Sequence, residues 1–332
     1  MATTKEFTMT HAILIHQAGG PEVLQWESVP IGKPDPGEIR LRQTGVGLNY
    51  IDVYHRTGAY PIKPPVIPGM EGAGVVEEIG TGVTDLKIGD RVAYASAPMG
   101  AYAEARLMPA DRVVKVPDGI ADLEAASMML KGMTAQYLLR RTYRVKAGET
   151  ILVHAAAGGV GLILCQWAKH LGATVIGTVG SEEKAALAKT NGCDHTINYT
   201  REDFQSRVME ITGGKKVAVV YDAVGRDTFA KSLDCLQPLG MMVLYGAASG
   251  PVAPFDLGQL AAKGSLFVTR PTLFVYTAKR EDLVASASEL FDVVLQGAVK
   301  LRINQTYALK DAAQAHRDLE ARKTTGSTVF TV

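Results

Sequence analysis

The chain lacks long apolar runs, paired cysteines and an excess of either charge. No segment reaches the roughly 18 apolar residues of a membrane-spanning helix, and residues 1–10 lack the apolar core of a secretion signal. The three cysteines (Cys165, Cys193 and Cys235) are scattered, which indicates neither a disulfide framework nor a zinc ribbon. We therefore expect a soluble cytoplasmic protein with no membrane partner.

The two kinds of charge nearly cancel, with 35 Lys and Arg against 34 Asp and Glu. Proteins that bind nucleic acid or anionic membranes through charge carry a basic surface, so this balance argues against nucleic acid as a partner. The length of 332 residues and the apolar fraction of 47% are sufficient for two domains with sizeable cores.

One stretch, residues 150–161, has the pattern of a strand, a glycine-rich turn and a helix. In such a unit, backbone N–H groups and the positive end of the helix face a pyrophosphate. The motif reads A-x-G-x-x-G, with Ala156 in place of the first glycine and with Gly158 and Gly161 present. The stretch therefore predicts a dinucleotide site, and an ordinary tight turn between strand and helix is the alternative.

The residues on either side of this stretch follow two different patterns. Residues 11–116 form short alternating apolar runs between Gly- and Pro-rich turns, which predicts an all-β, compact and partly open barrel. From residue 151 onward, strands alternate with helices of about ten to fifteen residues, which predicts a doubly wound parallel sheet with helices on both faces. The tail reads as a helix near residue 312 and a strand at 327–332, and we expect it to return to the first domain.

The α/β half divides into alternating elements with predicted bounds. Strands are predicted at 151–155, 174–178, 195–197, 217–221, 241–245 and 265–269. Helices are predicted at 122–143, 159–171, 181–190, 202–211, 227–235 and 280–296. The fold class that follows is α/β, a Rossmann-type domain beside a mostly β domain.

The residues after the second of these strands distinguish NAD from NADP. An Asp or Glu there accepts the ribose hydroxyls and would repel a 2′-phosphate, but Val179 and Gly180 supply no acid. Lys184 follows in the first turn of the next helix, where the helix dipole also favours a phosphate, although a solvated lysine is its alternative. Glu182 and Glu183 would repel a phosphate if they pointed inward, and we interpret them as acids that complement the helix dipole. Together these residues favour NADPH.

Six motifs are spread over nearly the whole chain. They are GGPEVL at 19–24, NYIDVY at 49–54, PGMEGAG at 68–74, HAAAGGVG at 154–161, VYDAVG at 220–225 and GS at 326–327. On these motifs the chain resembles the medium-chain dehydrogenases/reductases, and within them the zinc-free quinone oxidoreductase branch, the NADPH:quinone reductases related to ζ-crystallin. The resemblance implies a GroES-like catalytic domain at 1–126, completed by 300–332, and an NADPH-binding Rossmann domain at 127–299. It also implies a homodimer.

The resemblance further implies that no metal is bound. The Cys, His and Cys that hold the catalytic zinc of zinc alcohol dehydrogenases align here with Asn49, Met70 and about Leu130. An amide, a thioether and an alkyl group cannot replace thiolates and imidazole as zinc ligands. The cysteine-rich lobe for a structural zinc is also missing between Arg91 and Val114. Without a Lewis acid, oxidation of an alcohol is disfavoured.

The resemblance assigns roles to two sets of residues. Tyr54 and Tyr60 would orient the acceptor and Asn49 would anchor it near the nicotinamide, and packing of Tyr54 inside the barrel is the alternative. The implied cofactor-binding residues are Thr134, Tyr137, Ala157, Gly158, Gly159, Val160, Gly180, Ser181, Lys184, Tyr199, Tyr245, Gly246, Ala247, Phe267, Val268, Thr269, Arg270 and Arg322. Arg270 could instead hold a surface carboxylate. His154 reads as a core histidine rather than a catalytic one.

A metal-free site with NADPH suits an acceptor that is already electron-poor, such as a quinone. Hydride transfer to a quinone leaves a phenolate-like anion with about the basicity of tyrosine, a pKa of roughly 10. Water or a tyrosine hydroxyl can protonate this anion, so catalysis rests on positioning and on the cofactor. We therefore predict an NADPH:quinone reductase. Reduction of α,β-unsaturated carbonyl compounds is the alternative within enzymes, and an RNA-binding or crystallin-like structural role is the alternative outside them.

Overall fold

The computed structural model describes residues 7–332, which form two compact units. The first unit holds the described residues up to Leu130 together with Thr277–Phe291 and Leu301–Val332. The second unit holds Lys131–Tyr276 and Asp292–Lys300. Within the described range, no helix has both the length and the apolar character that crossing a bilayer requires.

The chain up to residue 137 is built mainly from short strands. The strands are β1 (Thr8–Leu14), β2 (Gln25–Ile31), β3 (Glu38–Leu48), β4 (Glu71–Ile79), β5 (Arg91–Ala95), β6 (Ala105–Pro109) and β7 (Val114–Lys115). The helices are α1 (Tyr50–Thr57) and α2 (Asp122–Tyr137), and a π-helical turn, Leu138–Thr142, extends α2.

The middle of the chain alternates strands and helices. The strands are β8 (Thr150–Val153), β9 (Thr174–Val179), β10 (His195–Asn198), β11 (Val217–Asp222), β12 (Leu236–Leu244) and β13 (Phe267–Thr269). The helices are α3 (Gly159–His170), α4 (Glu182–Thr190), α5 (Phe204–Ile211), α6 (Phe229–Cys235), α7 (Gly258–Ala262) and α8 (Leu273–Tyr276). The tail adds α9 (Arg280–Leu295), β14 (Ile303–Ala308), α10 (Ala312–Glu320) and β15 (Ser327–Thr331).

The first unit is organised around an open sheet with the strand order β14-β15-β3-β4-β5-β7, and β6 pairs with β3 outside this path. Strands β1 and β2 form a separate antiparallel pair. The tail enters the sheet through β15, where Phe330 lies opposite Val46 of β3. Alternate residues of β3, among them Ile39 and Leu41, are buried in the core of this unit. The mostly β, partly open character predicted from the turn spacing is confirmed.

The prediction that residues 11–116 are all-β is wrong at α1. This helix begins after Asn49, whose backbone N–H donates to the Asp52 carboxylate over 2.9 Å, half of a capping box. It ends at Gly58, which has a positive φ of 80°. The tail also contains β14, which the sequence did not predict.

The second unit confirms the predicted doubly wound sheet. Its strand order is β10-β9-β8-β11-β12-β13, and every neighbouring pair is parallel. All six residues of the central strand β11 are buried, as expected for a strand covered on both faces. The fifth strand begins at Leu236 rather than at the predicted Met241. Pro238 and Gly240 signal a turn in the sequence, but Leu239 takes a positive φ of 63° and the strand continues.

A buried polar chain connects α1 to α10 in the first unit. Arg56 is 1% exposed and donates to both carboxylate oxygens of Glu320 over 2.8 Å. It also lies 3.2 Å from Nδ1 of His316, whose Nε2 lies 3.1 Å from the Tyr102 hydroxyl. Tyr102 in turn donates to Asp52 over 3.0 Å. Burial, with a smaller contribution from Arg56, lowers the pKa of His316 to about 3, so this ring is neutral near pH 7.

We expect Glu320→Ala to destabilise the protein because it leaves the buried Arg56 guanidinium without its carboxylate. The free energy of unfolding should fall by about 2 kcal/mol, below the full cost of breaking a buried pair because Glu320 is partly exposed. Glu77→Ala is the matched control, since Glu77 pairs with Arg40 and Arg42 at the surface, and it should cost less than about 1 kcal/mol. Urea unfolding of both variants measures the difference, and equal losses would contradict the role given to Arg56.

Candidate active site

The glycine-rich turn lies between β8 and α3 and leaves the start of this helix open. A Cβ on Gly161 would overlap the carbonyl oxygen of Ala155, so only glycine lets α3 approach β8 this closely. Gly158 is the N-cap and has no side chain to accept from the first-turn N–H groups, and no acid stands in that turn. With Ala157, Gly159 and Val160 beside it, the turn offers backbone donors and a positive helix end to a phosphate. The predicted residues fit a pyrophosphate.

Four of the residues predicted near the adenosine lie together at the end of β9. Ser181 is the N-cap of α4, and its Oγ accepts from the backbone N–H of Lys184 over 3.2 Å. The Tyr199 hydroxyl, from the end of β10, lies 2.6 Å from the point where a Cβ of Gly180 would stand. The structure thus places a serine, a lysine and a tyrosine hydroxyl around the α4 N-terminus. Their role in binding phosphate stays a prediction.

The residues predicted near the ribose and nicotinamide follow the last two strands of the parallel sheet. Residues 245–247 come directly after β12, and residues 267–269 form the edge strand β13. Arg270 follows β13, and its Nη1 donates to the carbonyl oxygen of Leu244 over 3.0 Å rather than to a carboxylate. Because the carboxyl ends of parallel strands share one edge, these residues lie at the same edge of the sheet as the glycine-rich turn.

Thr134 and Tyr137 lie on α2 and are both buried. The Tyr137 ring stacks on Tyr276, with centroids 4.4 Å apart and an interplanar angle of 11°. Burial raises the pKa of the Tyr137 hydroxyl well above its ordinary value, so this group stays protonated. Tyr276 covers one face of the Tyr137 ring. Packing against Tyr276 is therefore an alternative to the predicted contact of Tyr137 with the cofactor.

His154 is a core histidine, as the sequence predicts. Its ring is fully buried, and its two nitrogens each lie 2.8 Å from a hydroxyl, of Thr178 and of Ser232. Burial lowers its pKa, with Asp222 opposing. Asp222 itself accepts from the backbone N–H of Val224 over 2.7 Å and thereby closes the turn after β11. The side chains of His154 and Asp222 thus both form hydrogen bonds that stabilise the fold.

In the first unit, Asn49 is fixed by a carboxylate that sequence reasoning did not single out. Asn49 is 5% exposed, and its Nδ2 donates to Oε2 of Glu71 over 2.7 Å. The other oxygen of Glu71 accepts from the backbone N–H of Leu130 over 2.8 Å. Glu71 is fully buried at the start of β4. The sequence signal that could have identified Glu71 is an acidic residue directly before the apolar strand GAGVV.

The remaining predicted residues of the first unit gather near α1. The Tyr54 ring lies 5.4 Å from Tyr50 and 5.1 Å from Tyr60, centroid to centroid, and Tyr60 is 38% exposed. Burial and Glu320 raise the pKa of Tyr50, whereas the charges of Arg322 and Arg56 lower it. We call Tyr50, Tyr54 and Tyr60 the tyrosine cluster. Of the predicted cofactor residues, Arg322 belongs to this first unit and the others to the second.

Comparison with known proteins agrees with this geometry. Residues 35–118 match the family described as alcohol dehydrogenase GroES-like domain, and residues 159–289 match the family described as zinc-binding dehydrogenase. The chain is 54% identical over 315 residues to a quinone oxidoreductase of Pseudomonas aeruginosa, covering 94% of this chain and 96% of that one. The chain belongs to the quinone oxidoreductase branch of the medium-chain dehydrogenase/reductase superfamily.

Two further relatives are similar to this chain over nearly its whole length. A crystal structure of Escherichia coli quinone oxidoreductase complexed with NADPH superposes with a TM-score of 0.95 at 48% identity, covering 97% of this chain and 100% of that one. A 2-haloacrylate reductase of Burkholderia sp. is 50% identical over 329 residues, covering 97% of this chain and 99% of the relative. Both relatives thus align with nearly the whole chain.

The zinc in one family description does not fit the residues of this quinone oxidoreductase. At the positions that the resemblance aligns with zinc ligands (Asn49, Met70 and about Leu130), Glu71 bridges Asn49 and Leu130, and Met70 is a buried thioether. An amide, a thioether and an alkyl side chain are poor ligands for Zn²⁺. The described residues include no group of three or more His, Cys, Asp and Glu side chains that could hold a metal ion.

We expect Glu71→Gln to destabilise the protein although it changes the volume little. Glutamine has one acceptor oxygen where Glu71 uses two, so its amide N–H₂ must face either Asn49 Nδ2 or the Leu130 N–H. The buried donor left unpaired should lower the free energy of unfolding by about 1–3 kcal/mol. Glu78→Gln, on the same strand but half-buried and paired with Arg40, is the control and should cost about 1 kcal/mol or less. Denaturant titration that finds Glu71→Gln as stable as the control would contradict this assignment.

Proposed function

We propose that this chain is an NADPH-dependent quinone reductase that works without a metal. The observation that carries the proposal is the set of side chains at the positions that the resemblance aligns with the catalytic zinc ligands, namely Asn49, whose amide donates to Glu71, Met70 and about Leu130. With no Lewis acid to activate an alcohol or an unactivated carbonyl, the acceptor must itself be electron-poor. Quinones meet this condition, and curated relatives at 54%, 51% and 49% identity carry the name quinone oxidoreductase.

The proposed cofactor site fits NADPH in three places. Backbone N–H groups of residues 157–160 would hold the pyrophosphate, and Ser181, Lys184 and Tyr199 would hold the 2′-phosphate. Residues at the ends of β12 and β13 would contact the ribose and nicotinamide. The Escherichia coli relative is described as complexed with NADPH, which supports this choice. When bound, NADPH supplies the hydride.

The proposed acceptor site consists of Asn49 and the tyrosine cluster. Glu71 fixes the direction of the Asn49 amide. The second hydrogen of Nδ2 faces the Gly47 carbonyl oxygen over a long 3.4 Å, and this hydrogen would turn to an oxygen of the acceptor. Tyr54 and Tyr60 lie against each other, with ring centroids 5.1 Å apart, and would offer aromatic surface to a planar quinone. The half-exposed Tyr60 or water would protonate the phenolate-like product, whose basicity matches that of a tyrosine.

The proposal extends to domain roles, assembly and location. Residues 1–126 with 300–332 would form the catalytic domain, and residues 127–299 the NADPH-binding domain.

Edge strand β13 pairs with β12 alone among the described strands and carries Phe267, which is 55% exposed. Pairing of this edge with its symmetry mate would give the homodimer. The three buried free thiols suit the reducing cytoplasm.

Reduction of activated alkenes is the second candidate function. It is favoured by the 2-haloacrylate reductase of Burkholderia sp., which is 50% identical to this chain. A C=C bond conjugated to a carbonyl or carboxyl group accepts hydride without a metal, and the same cofactor site would serve both reactions. The two candidates therefore differ in the acceptor alone.

We expect NADPH oxidation to be fast with 1,4-benzoquinone and 1,2-naphthoquinone and slow with 2-cyclohexenone and 2-chloroacrylate. The reason is that a quinone becomes aromatic on reduction, whereas a conjugated alkene gains no aromaticity and is a weaker hydride acceptor. EDTA should leave the quinone rate unchanged. Absorbance at 340 nm follows each reaction, with NADPH and no acceptor as the blank. Turnover of the alkenes with no turnover of quinones would replace the first candidate with the second.

We expect Lys184→Ala to raise the KM for NADPH about tenfold, the value of one charge-assisted contact, and to leave the KM for NADH unchanged. NADH lacks the 2′-phosphate, so it makes no contact with Lys184 that the substitution could remove. Lys189→Ala, on the last turn of the same helix, is the control. An equal loss for both cofactors would show that Lys184 supports the fold rather than the phosphate.

A further inference from the structure

The first turn of α4 carries an acid where the proposed 2′-phosphate needs positive charge. Glu182 follows Ser181 directly and precedes Lys184 by two positions, and Glu183 is exposed beside it. A carboxylate at this strand tip selects against a 2′-phosphate. A site that binds NADPH must therefore keep Glu182 away from the phosphate or cancel its charge.

Two residues at the end of the neighbouring strand β10 hold the Glu182 carboxylate: Asn198 is its last residue, and Arg201 follows three positions later. Oε1 of Glu182 accepts from Nδ2 of Asn198 over 2.8 Å. The same oxygen lies 3.4 Å from Nη1 of Arg201. One contact fixes the direction of the carboxylate and the other compensates its charge.

Asn198 is a rigid support for this contact. It is 5% exposed, and its Oδ1 accepts from both the backbone N–H and the hydroxyl of Thr200, over 3.2 and 2.7 Å. Its own backbone N–H donates to Glu202 over 3.1 Å. With Oδ1 committed to Thr200, the amide has one orientation, and Nδ2 faces Glu182. The next residue along the chain is Tyr199, whose hydroxyl lies against Gly180.

We propose that Asn198 and Arg201 determine the preference for a 2′-phosphate by restraining Glu182. They are positioning residues: they draw the carboxylate towards the end of β10 and neutralise it, so that Lys184 and Ser181 remain the groups that meet the phosphate. This inference rests on the proposed use of NADPH. It assigns the selectivity to a pair of residues outside the set predicted to contact the cofactor.

The test measures binding of two nucleotides by calorimetry, with no turnover involved. 2′,5′-ADP and 5′-AMP differ by the 2′-phosphate alone, so the ratio of their dissociation constants reports on this group. Asn198→Ala should weaken 2′,5′-ADP about three- to tenfold, and Arg201→Ala about two- to threefold, with 5′-AMP unchanged, because one exposed charge is released in each case. Lys189→Ala removes an equal charge from the last turn of α4, away from Asn198 and Glu182, and is the control.

The decisive comparison repeats Asn198→Ala in a chain that also carries Glu182→Gln. If Asn198 acts through Glu182, Asn198→Ala should have no further effect once the carboxylate is gone. If instead the loss persists in Glu182→Gln, Asn198 acts by shaping the Tyr199 turn and the proposal is wrong. It is also wrong if neither Asn198→Ala nor Arg201→Ala changes the ratio. A wild-type chain that binds both nucleotides equally would overturn the NADPH proposal together with this one, so the two failures are distinguishable.

Discussion

The close approach of α3 to β8 is the constraint on which the nucleotide half of this protein depends. Gly161 has no Cβ to meet the Ala155 carbonyl, and Ala155 itself takes a positive φ of 54° to turn the chain. Because the N-cap is Gly158, the first N–H groups of α3 have no side-chain acceptor from the cap. The parallel sheet then brings the ends of β9, β12 and β13 to the same edge. The proposed dinucleotide site is thus a consequence of how α3 packs on β8.

In the first unit a single carboxylate has a comparable role. Glu71 joins the end of β3, through Asn49, to the backbone of α2, through Leu130. Helix α1, which carries Tyr54, is held in turn by the buried Arg56 and its contacts with α10. These contacts commit Glu71 and Arg56 to fixing the Asn49 amide and the helix that carries Tyr54. In the proposed reaction, the cofactor and an electron-poor acceptor therefore supply the reactivity.

The sequence was most informative where a pattern is local. Alternating strands and helices predicted the parallel sheet, and the glycines at 158 and 161 predicted its helix start. The capping pair of α1, Asn49 and Asp52, was also local, but eight helical residues among short strands give too little periodicity to stand out. Glu71 could not be assigned, because its partners lie 22 and 59 residues away. Asn198 was missed for the same reason, since its partner Glu182 lies 16 residues earlier in a different element.

Glu71 and Glu182 show how one side-chain pairing can serve two purposes. In both cases an asparagine Nδ2 donates to the carboxylate and fixes its direction without adding charge. Glu71 is fully buried, so this contact is unscreened and contributes to the stability of the fold. The Glu182 side chain is 64% exposed and has Arg201 beside it, so its field is screened by salt within about 10 Å at 0.1 M ionic strength. The buried pair therefore fixes the Asn49 amide that is proposed to anchor the acceptor, whereas the exposed pair can act only on a charged group that binds next to it, such as the proposed 2′-phosphate.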